Sequence, residues 1–333
     1  MSYTLAVFLV LLAASMWGSW SQCVKHLDDY PLDAFVLNVF ILSVVLVWGV
    51  LLAVDGVDGV RVIGECAQHN PLAVWGTLLC GAIYVQGVRL SLTVVHNVGL
   101  VLTTAVSSSS SIILGTLLSV GVGGLAPGTS LPLLLFGGVI LVAALTSCVR
   151  AGHLRESERG GGARQASPAG ESMSLLKAVG LAFLSSVLTV SYALGMSIGL
   201  RSPFHPEALP SLQFMGMLSV GALLGVVMTS GVRLWKHGQV RAWLRTPPKY
   251  LGLAGLSAIC HFGGNIINSL ASPVISVGLA WPMGMSASMW TYVWGLAYGE
   301  FKGASKRVYG FLFGGIALFI AGVIVLTAAL YWH

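Results

Sequence analysis

The chain has 333 residues, of which 56% are hydrophobic and only 8% are charged, and its mean hydropathy is +0.87. This composition excludes an ordinary water-soluble globular protein, in which about a quarter of the residues are charged. The formal net charge of +6 does not indicate a nucleic-acid partner, because the basic residues lie in short loops between apolar segments. We therefore predict an integral membrane protein surrounded by a lipid bilayer.

Ten apolar segments are long enough, at about 20 residues each, to cross the hydrocarbon layer of a bilayer. Each is continuously apolar, whereas the strands of a membrane barrel alternate apolar and polar residues. The segments are 4–23, 34–54, 72–94, 98–122, 131–149, 175–199, 209–231, 250–272, 274–298 and 309–331. The sequence thus predicts an all-α polytopic membrane protein with ten transmembrane helices.

The first segment, 4–23, lacks the basic start and the small-residue cleavage pattern of a signal peptide, so we predict a retained helix. Near its end, Trp17 and Trp20 lie three residues apart on one helix face, just before Lys25. Two interpretations of this pair stay open. The rings belong to an aromatic belt at the membrane interface, or they stack on a substrate.

The loops that follow odd-numbered segments carry most of the basic residues. They contain Lys25, Arg150, Arg155, Arg159, Arg164, Lys177, Arg233, Lys236, Arg241, Arg245, Lys249, Lys302, Lys306 and Arg307. The even loops contain only Arg61 and Arg201. By the positive-inside rule, the odd loops are predicted to be cytoplasmic. Both termini are then extracytoplasmic, and the protein is a multi-pass protein of the plasma (inner) membrane.

One stretch between the segments resembles a soluble linker, because it is rich in Gly, Arg, Ser and Glu. It divides the chain into a first five-helix unit, 1–149, a cytoplasmic linker, 150–174, and a second five-helix unit, 175–333. An odd number of spans per unit makes the second unit enter the membrane in the opposite sense. Such inverted repeats are common in secondary transporters, where the substrate site lies near the bilayer midplane.

Sequence matches between the two units favour this duplication. A shift of 179 residues places the VGL of 98–100 on that of 277–279, and it places Ser107 and Ser109 on Ser286 and Ser288. The FGG of 136–138 recurs at 313–315, at a shift of 177. Chance matching among small residues is the alternative. The sequence therefore predicts two inverted five-helix repeats.

The 179-residue shift also pairs polar side chains, because Gln86 falls on Asn265 and Arg89 on Asn268. Amides donate and accept hydrogen bonds, which suits the hydroxyls or ureas of an uncharged substrate, but buried amides also hold membrane helices together. Arg89 either snorkels to the interface or contacts the substrate. For the amides, substrate binding and helix association both stay open, and for Arg89 substrate contact and snorkelling both stay open.

His261, Asn265 and Asn268 are spaced to share one helix face, as expected along a water-filled path. His261 is a candidate for proton coupling by its residue type, and the alternative is a packing histidine. Two further stretches have two interpretations each, close helix packing or the wall of a sugar cavity. They are the serine run 107–111 and the stretch 280–290, which contains Trp281 and Trp290.

Several other chemistries have no sequence support. Asp33 and Glu300 fall at the ends of spans, so a proton relay through a buried acid is not indicated. The five cysteines show no metal-ligand spacing. Because no nucleotide-binding or hydrolase motif occurs, we predict a protein that is not an enzyme and that has no metal and no cofactor.

Two motifs resemble those of a known family. The linker begins RAGHLRES, and WGLAYGEFKGASKR precedes the last segment. With the ten-span pattern, they resemble the drug/metabolite transporter (DMT, EamA-like) superfamily, most closely the L-rhamnose–proton symporter family, followed by the plant ureide permeases and the glucose/ribose uptake group. The resemblance implies a proton-coupled importer with a cavity between the first four helices of each half. The lack of a mid-membrane carboxylate departs from what symport leads one to expect.

We therefore expect a secondary active transporter of a small polar metabolite, by preference a sugar such as L-rhamnose in symport with H⁺, working by alternating access. The alternatives are a ureide- or nucleobase-type permease and, from another class, a non-transporting receptor or assembly protein. A homodimer is compatible with the sequence. The candidate substrate-binding residues are Gln86, Arg89, Asn265, Asn268, Trp17, Trp20, Trp281 and Trp290, and the candidate proton-coupling residue is His261.

Overall fold

The computed structural model describes residues 1–98, 100–158 and 175–331. These residues form helices and turns, and the β contacts among them are two isolated bridges between residues 200 and 209. The helices are α1 (Tyr3–Ser19), α2 (Leu32–His69), α3 (Thr77–Val98), α4 (Leu100–Gly123), α5 (Leu131–Glu158), α6 (Leu175–Thr189), α7 (Ser191–Gly199), α8 (Ser211–Val226), α9 (Val232–Lys236), α10 (Val240–Leu244), α11 (Pro248–Ala258), α12 (Gly264–Ile275), α13 (Val277–Gly284), α14 (Ala287–Ala297) and α15 (Lys306–Ala328).

Within the described ranges, nine helical segments are long and apolar enough to cross a membrane, so the predicted polytopic helical class is confirmed. The predicted span 274–298 consists instead of α13 and α14 in tandem. Pro282 lies in α13 and cannot donate a helical hydrogen bond, and the break follows it at Met285 and Ser286. Helix α5 extends into the predicted linker, of which residues 159–174 lie outside the described part.

Several long helices contain local irregularities. Gly56 interrupts α2 with φ +60°, a conformation that side chains with a Cβ rarely adopt. Wider π-helical turns occur at Leu72–Gly76, Val227–Gly231 and Ile259–Gly263. Such turns are frequent at functional sites. The last of them joins α11 to α12 in the middle of a span.

The loops that follow the first, fifth, seventh and ninth predicted segments meet at one end of the molecule, which we call the basic end. Lys25, after α1, pairs with Glu300, before α15. Asp28, in the same loop as Lys25, accepts a hydrogen bond of 2.7 Å from Lys249 of α11, and this bond holds the pKa of the Asp28 carboxyl below its ordinary value. At the opposite end, the rings of Tyr3 and Tyr331 lie edge to face.

Helices of the two sequence halves are packed in a reciprocal way. Helix α3 of the first half lies against α6 and α8, and α11 and α12 of the second half lie against α2 and α1. Helix α5 packs extensively against α15. The buried apolar side chains form two clusters, one centred on α2, α3 and α8 and the other on α5 and α15.

The recurring FGG motif lies in the contact between α5 and α15. A Cβ on Gly137 would lie 2.7 Å from the Leu326 side chain, and a Cβ on Gly315 would lie 2.4 Å from Cys148 Sγ. Gly138 and Gly314 have open space around them. The motif therefore packs through its first glycine in one half and through its second in the other.

We expect Gly315→Ala to lower the free energy of unfolding by about 1 kcal/mol, because the added methyl group collides with Cys148 and with the backbone of Ala144. The neighbouring substitution Gly314→Ala is the matched control, and it should leave stability unchanged or slightly raised, since its methyl group meets no atom. Thermal unfolding in detergent compares the two variants. Equal melting temperatures would contradict this account of the contact.

Candidate functional site

His261 is at the centre of a group of aromatic rings. It lies in the π-helical turn between α11 and α12 and is 7% exposed. Its ring stacks on Trp20 with 4.8 Å between centroids, and the Phe40 ring meets it edge to face at 5.7 Å. Two helical segments of the first half, distant in sequence from His261, therefore hold the imidazole in one orientation.

The ring contacts continue from His261 through two buried tyrosines. Tyr84 of α3 lies 6.3 Å from the imidazole and 5.8 Å from Tyr192 of α7. Tyr192 in turn lies 6.1 Å from both Trp17 of α1 and Trp281 of α13. We call these five residues, together with Asn265 and Asn268, the central cluster. Both sequence halves contribute to it.

Thirteen buried side-chain polar atoms have no hydrogen-bond partner among the described residues, and six of them lie in the central cluster. These six are Trp17 Nε1, Tyr84 Oη, Tyr192 Oη, His261 Nδ1, Asn265 Nδ2 and Asn268 Oδ1. Such an atom costs about 1–3 kcal/mol when it stays unpaired, and folded proteins avoid it. The six atoms on facing helices therefore form a surface suited to a small polar ligand that donates and accepts hydrogen bonds.

The two asparagines lie on the α12 face that points to this surface. Asn265 is 3% exposed and Asn268 is 2% exposed. The Asn268 amide donates only a long contact, 3.5 Å, to Met196 Sδ of α7. Its side chain also faces the Tyr192 hydroxyl. Both amides are thus held in the interior with hydrogen-bonding capacity to spare.

Trp17 is seated between two glycines of the second half. A Cβ on Gly264 of α12 would lie 2.9 Å from Trp17 Nε1, and a Cβ on Gly284 of α13 would lie 2.7 Å from its ring. The absence of side chains there lets the indole reach the interior. Both interpretations of Trp17, a ring of an aromatic belt and a substrate contact, stay predictions.

Gln86 and Arg89 are engaged with other protein groups. Gln86 Nε2 donates 2.9 Å to the backbone oxygen of Gly225, which links α3 to α8. Arg89 donates 2.8 Å to Asp33 Oδ1 and 3.0 Å to Ser230 Oγ. The substrate roles predicted for both residues remain predictions. Both side chains also link α3 to neighbouring helices.

The other two predicted tryptophans differ in position. Trp281 is buried, packs on Gly115 of α4 and donates 2.9 Å to the backbone oxygen of Ser111. The serine run 107–111 and the stretch 280–290 are therefore in contact. Trp290 is half-buried, with its Cβ beside Gly18 of α1. It makes no ring contact with the central cluster among the described residues.

Sequence reasoning did not single out Tyr84 and Tyr192. For Tyr84 the repeat gave no signal, because the shift of 179 that pairs Gln86 with Asn265 places Tyr84 on Gly263. Its contact with the His261 ring is visible only in the structure. For Tyr192, the sequence around it is an ordinary apolar helix with small residues, and only the packing of α7 reveals its neighbours.

The fold and the cluster together define a multi-pass helical membrane protein with a polar and aromatic interior. No protein-family model and no curated protein matches the sequence. A solved crystal structure, described only as that of a protein, is similar with a TM-score of 0.62 and 16% identity, and the match covers 97% of this chain and 96% of the other. This similarity shows the fold alone.

Proposed function

We propose that the protein is a secondary transporter of a small, uncharged polar metabolite and that the central cluster binds this substrate. The observation that carries the proposal is the group of six unpartnered polar atoms among aromatic rings, buried between helices of both halves. Ligand sites combine apolar walls with a few convergent polar groups in this way.

Alternating access requires two units that can move against each other, and the inverted repeat supplies them in this proposal. The reciprocal packing of α3 on α8 and of α11 on α2 supports it.

The chemistry of the cluster favours a neutral substrate. Its groups with an unpartnered polar atom are two amides, two phenols, an indole and an imidazole, so a fully charged solute would find no opposite charge among them. Amides and phenols bind hydroxyl groups, and the faces of Trp17 and Tyr192 bind the C–H face of a sugar ring. A sugar such as L-rhamnose is therefore the first candidate, and a ureide or nucleobase is the second.

His261 is the titratable group that we propose for coupling to protons. Its Nδ1 has no partner, and its neighbours are aromatic rings. Proton binding to it needs a hydrated or occupied cavity, because an imidazolium ion is costly against rings alone. In this scheme the proton enters together with a polar substrate. The topology that we propose has the basic end in the cytoplasm and both termini outside.

The experiment is uptake into proteoliposomes with labelled sugars, ureides and nucleobases, with and without a pH gradient. We expect saturable uptake of at least one neutral polar solute, stimulated when the lumen is alkaline, and competition by the same solute unlabelled. Empty liposomes are the control. Absence of uptake and of exchange across the panel, for protein shown to be folded, would contradict the transporter proposal.

A further inference from the structure

The loop between α8 and α11 forms a small helical hairpin at the basic end. It comprises α9, the turn, α10 and the capping residue Arg245, together residues 232–245, and we call it the basic hairpin. Its sequence, VRLWKHGQVRAWLR, alternates basic with large apolar side chains. Trp235 and Leu244 are 74% and 70% exposed. This pattern is typical of segments that lie in the membrane interface.

An apolar cavity of about 500 Å³ lies beneath the basic hairpin. Leu37 and Ile41 of α2 form one wall, Leu223 of α8 and Val227 form another, and Trp235 is part of the roof. Because α2 and α8 belong to spans and Val227 is exposed on the molecular surface, the cavity opens sideways. In a bilayer this opening faces lipid chains, so its natural occupant is an acyl chain.

The charged side chains of the basic hairpin itself are all basic. The sequence has no Asp or Glu between Glu207 and Glu300. Arg233 is 3.8 Å from Asp33, whereas Lys236, Arg241 and Arg245 form no ion pair within the described part of the chain. Exposed cations beside an apolar cavity are complementary to an anionic headgroup on an acyl chain.

We propose that the basic hairpin binds one anionic phospholipid of the surrounding leaflet. Its phosphate contacts Arg241 and Arg245, and one acyl chain enters the cavity lined by Leu37, Ile41 and Val227. This site is separate from the central cluster and does not depend on what the protein transports. A soluble phosphate compound lacks the chain that the cavity requires, and a zwitterionic phospholipid lacks the net charge.

The test measures lipid retention by the full-length protein in detergent. Native mass spectrometry would compare phosphatidylglycerol with phosphatidylcholine of the same chains, and we expect preferential retention of phosphatidylglycerol. The double variant Arg241→Gln, Arg245→Gln should bind phosphatidylglycerol about thirtyfold more weakly, since each interfacial cation contributes about 1 kcal/mol. Retention of phosphatidylcholine should be unchanged.

The matched control is the exposed pair at the start of α15, Lys306→Gln with Arg307→Gln, which should change neither lipid's affinity by more than about twofold. A cavity-filling variant, Val227→Phe, should weaken both lipids equally. Three results would each overturn the proposal. The first is equal retention of the two lipids, and the second is an equal loss of phosphatidylglycerol affinity in the hairpin and control variants. The third is displacement of phosphatidylglycerol by free glycerol phosphate. Size-exclusion chromatography confirms that every variant is folded.

Discussion

Asn265→Ala is expected to lower kcat/KM for substrate uptake about thirtyfold while leaving the protein at least as stable as the parent. The amide can give two neutral hydrogen bonds to a polar substrate, and each contributes about 1 kcal/mol. Stability should not fall, because Asn265 is 3% exposed and its buried Nδ2 has no protein partner. Removing an unsatisfied polar group relieves a penalty.

A second buried asparagine provides the control for this variant. Asn38 of α2 is 7% exposed, and its amide bonds to Thr246 Oγ1 at 3.0 Å, to the Tyr30 hydroxyl at 3.3 Å and to Trp243 Nε1 at 2.8 Å. Asn38→Ala therefore leaves several buried groups unpaired, and we expect a loss of about 2 kcal/mol in unfolding free energy.

The two asparagine variants should thus separate the two roles that a buried amide can have in a membrane protein. Uptake kinetics in proteoliposomes and thermal unfolding in detergent are measured on both. Should Asn265→Ala unfold at a clearly lower temperature with normal kcat/KM in the folded fraction, Asn265 would be a packing residue. The central cluster would then lose its main support as a substrate site.

The sequence was sufficient to predict the class of fold, because continuous apolar segments of about 20 residues have one stable arrangement in lipid. It also placed His261, Asn265 and Asn268 on one face, since residues four and three positions apart are neighbours on a helix. Pro282 indicated a break within 274–298, because proline cannot donate a helical hydrogen bond. A residue count alone could not show that this segment divides into two short helices.

The partners of the polar side chains were beyond prediction from the sequence. Gln86 and Arg89 are one turn apart on α3, yet their contacts lie on α8 and α2, and contact between helices depends on three-dimensional packing. The same holds for Tyr192, whose neighbours belong to four other helices. Sequence periodicity shows which residues share a face of one helix, and it does not show which helix that face meets.

The central cluster and the basic end differ in how their polar groups are satisfied. In the cluster, Asn265, Tyr84 and Tyr192 each have a buried polar atom without a partner. At the basic end, Asp33 accepts hydrogen bonds from Arg89 and Ser230. Polar groups that bind a substrate lack a hydrogen-bond partner while the site is empty, whereas polar groups that stabilise a fold are hydrogen-bonded within it. This contrast predicts opposite phenotypes for the two sets of residues.

Arg89→Leu is accordingly expected to lower the free energy of unfolding by about 3 kcal/mol, because it leaves Asp33 partly buried without its closest cation. The side chains of Arg89 and Asp33 are 16% and 24% exposed, which places the effect at the low end for a broken buried pair. Arg233→Leu is the matched control. Arg233 is 52% exposed and lies 3.8 Å from Asp33, so its loss should cost less than about 1 kcal/mol.

The double variant Arg89→Leu, Asp33→Asn distinguishes a structural ion pair from a substrate contact. If the two residues stabilise each other, the double variant is about 1–2 kcal/mol more stable than the sum of the single losses predicts. Unfolding in mixed micelles measures this coupling, and uptake is measured on the same preparations. Additive stability effects, together with loss of uptake at unchanged stability in Arg89→Leu, would instead assign Arg89 to the substrate. That result would extend the binding site from the central cluster toward the basic end.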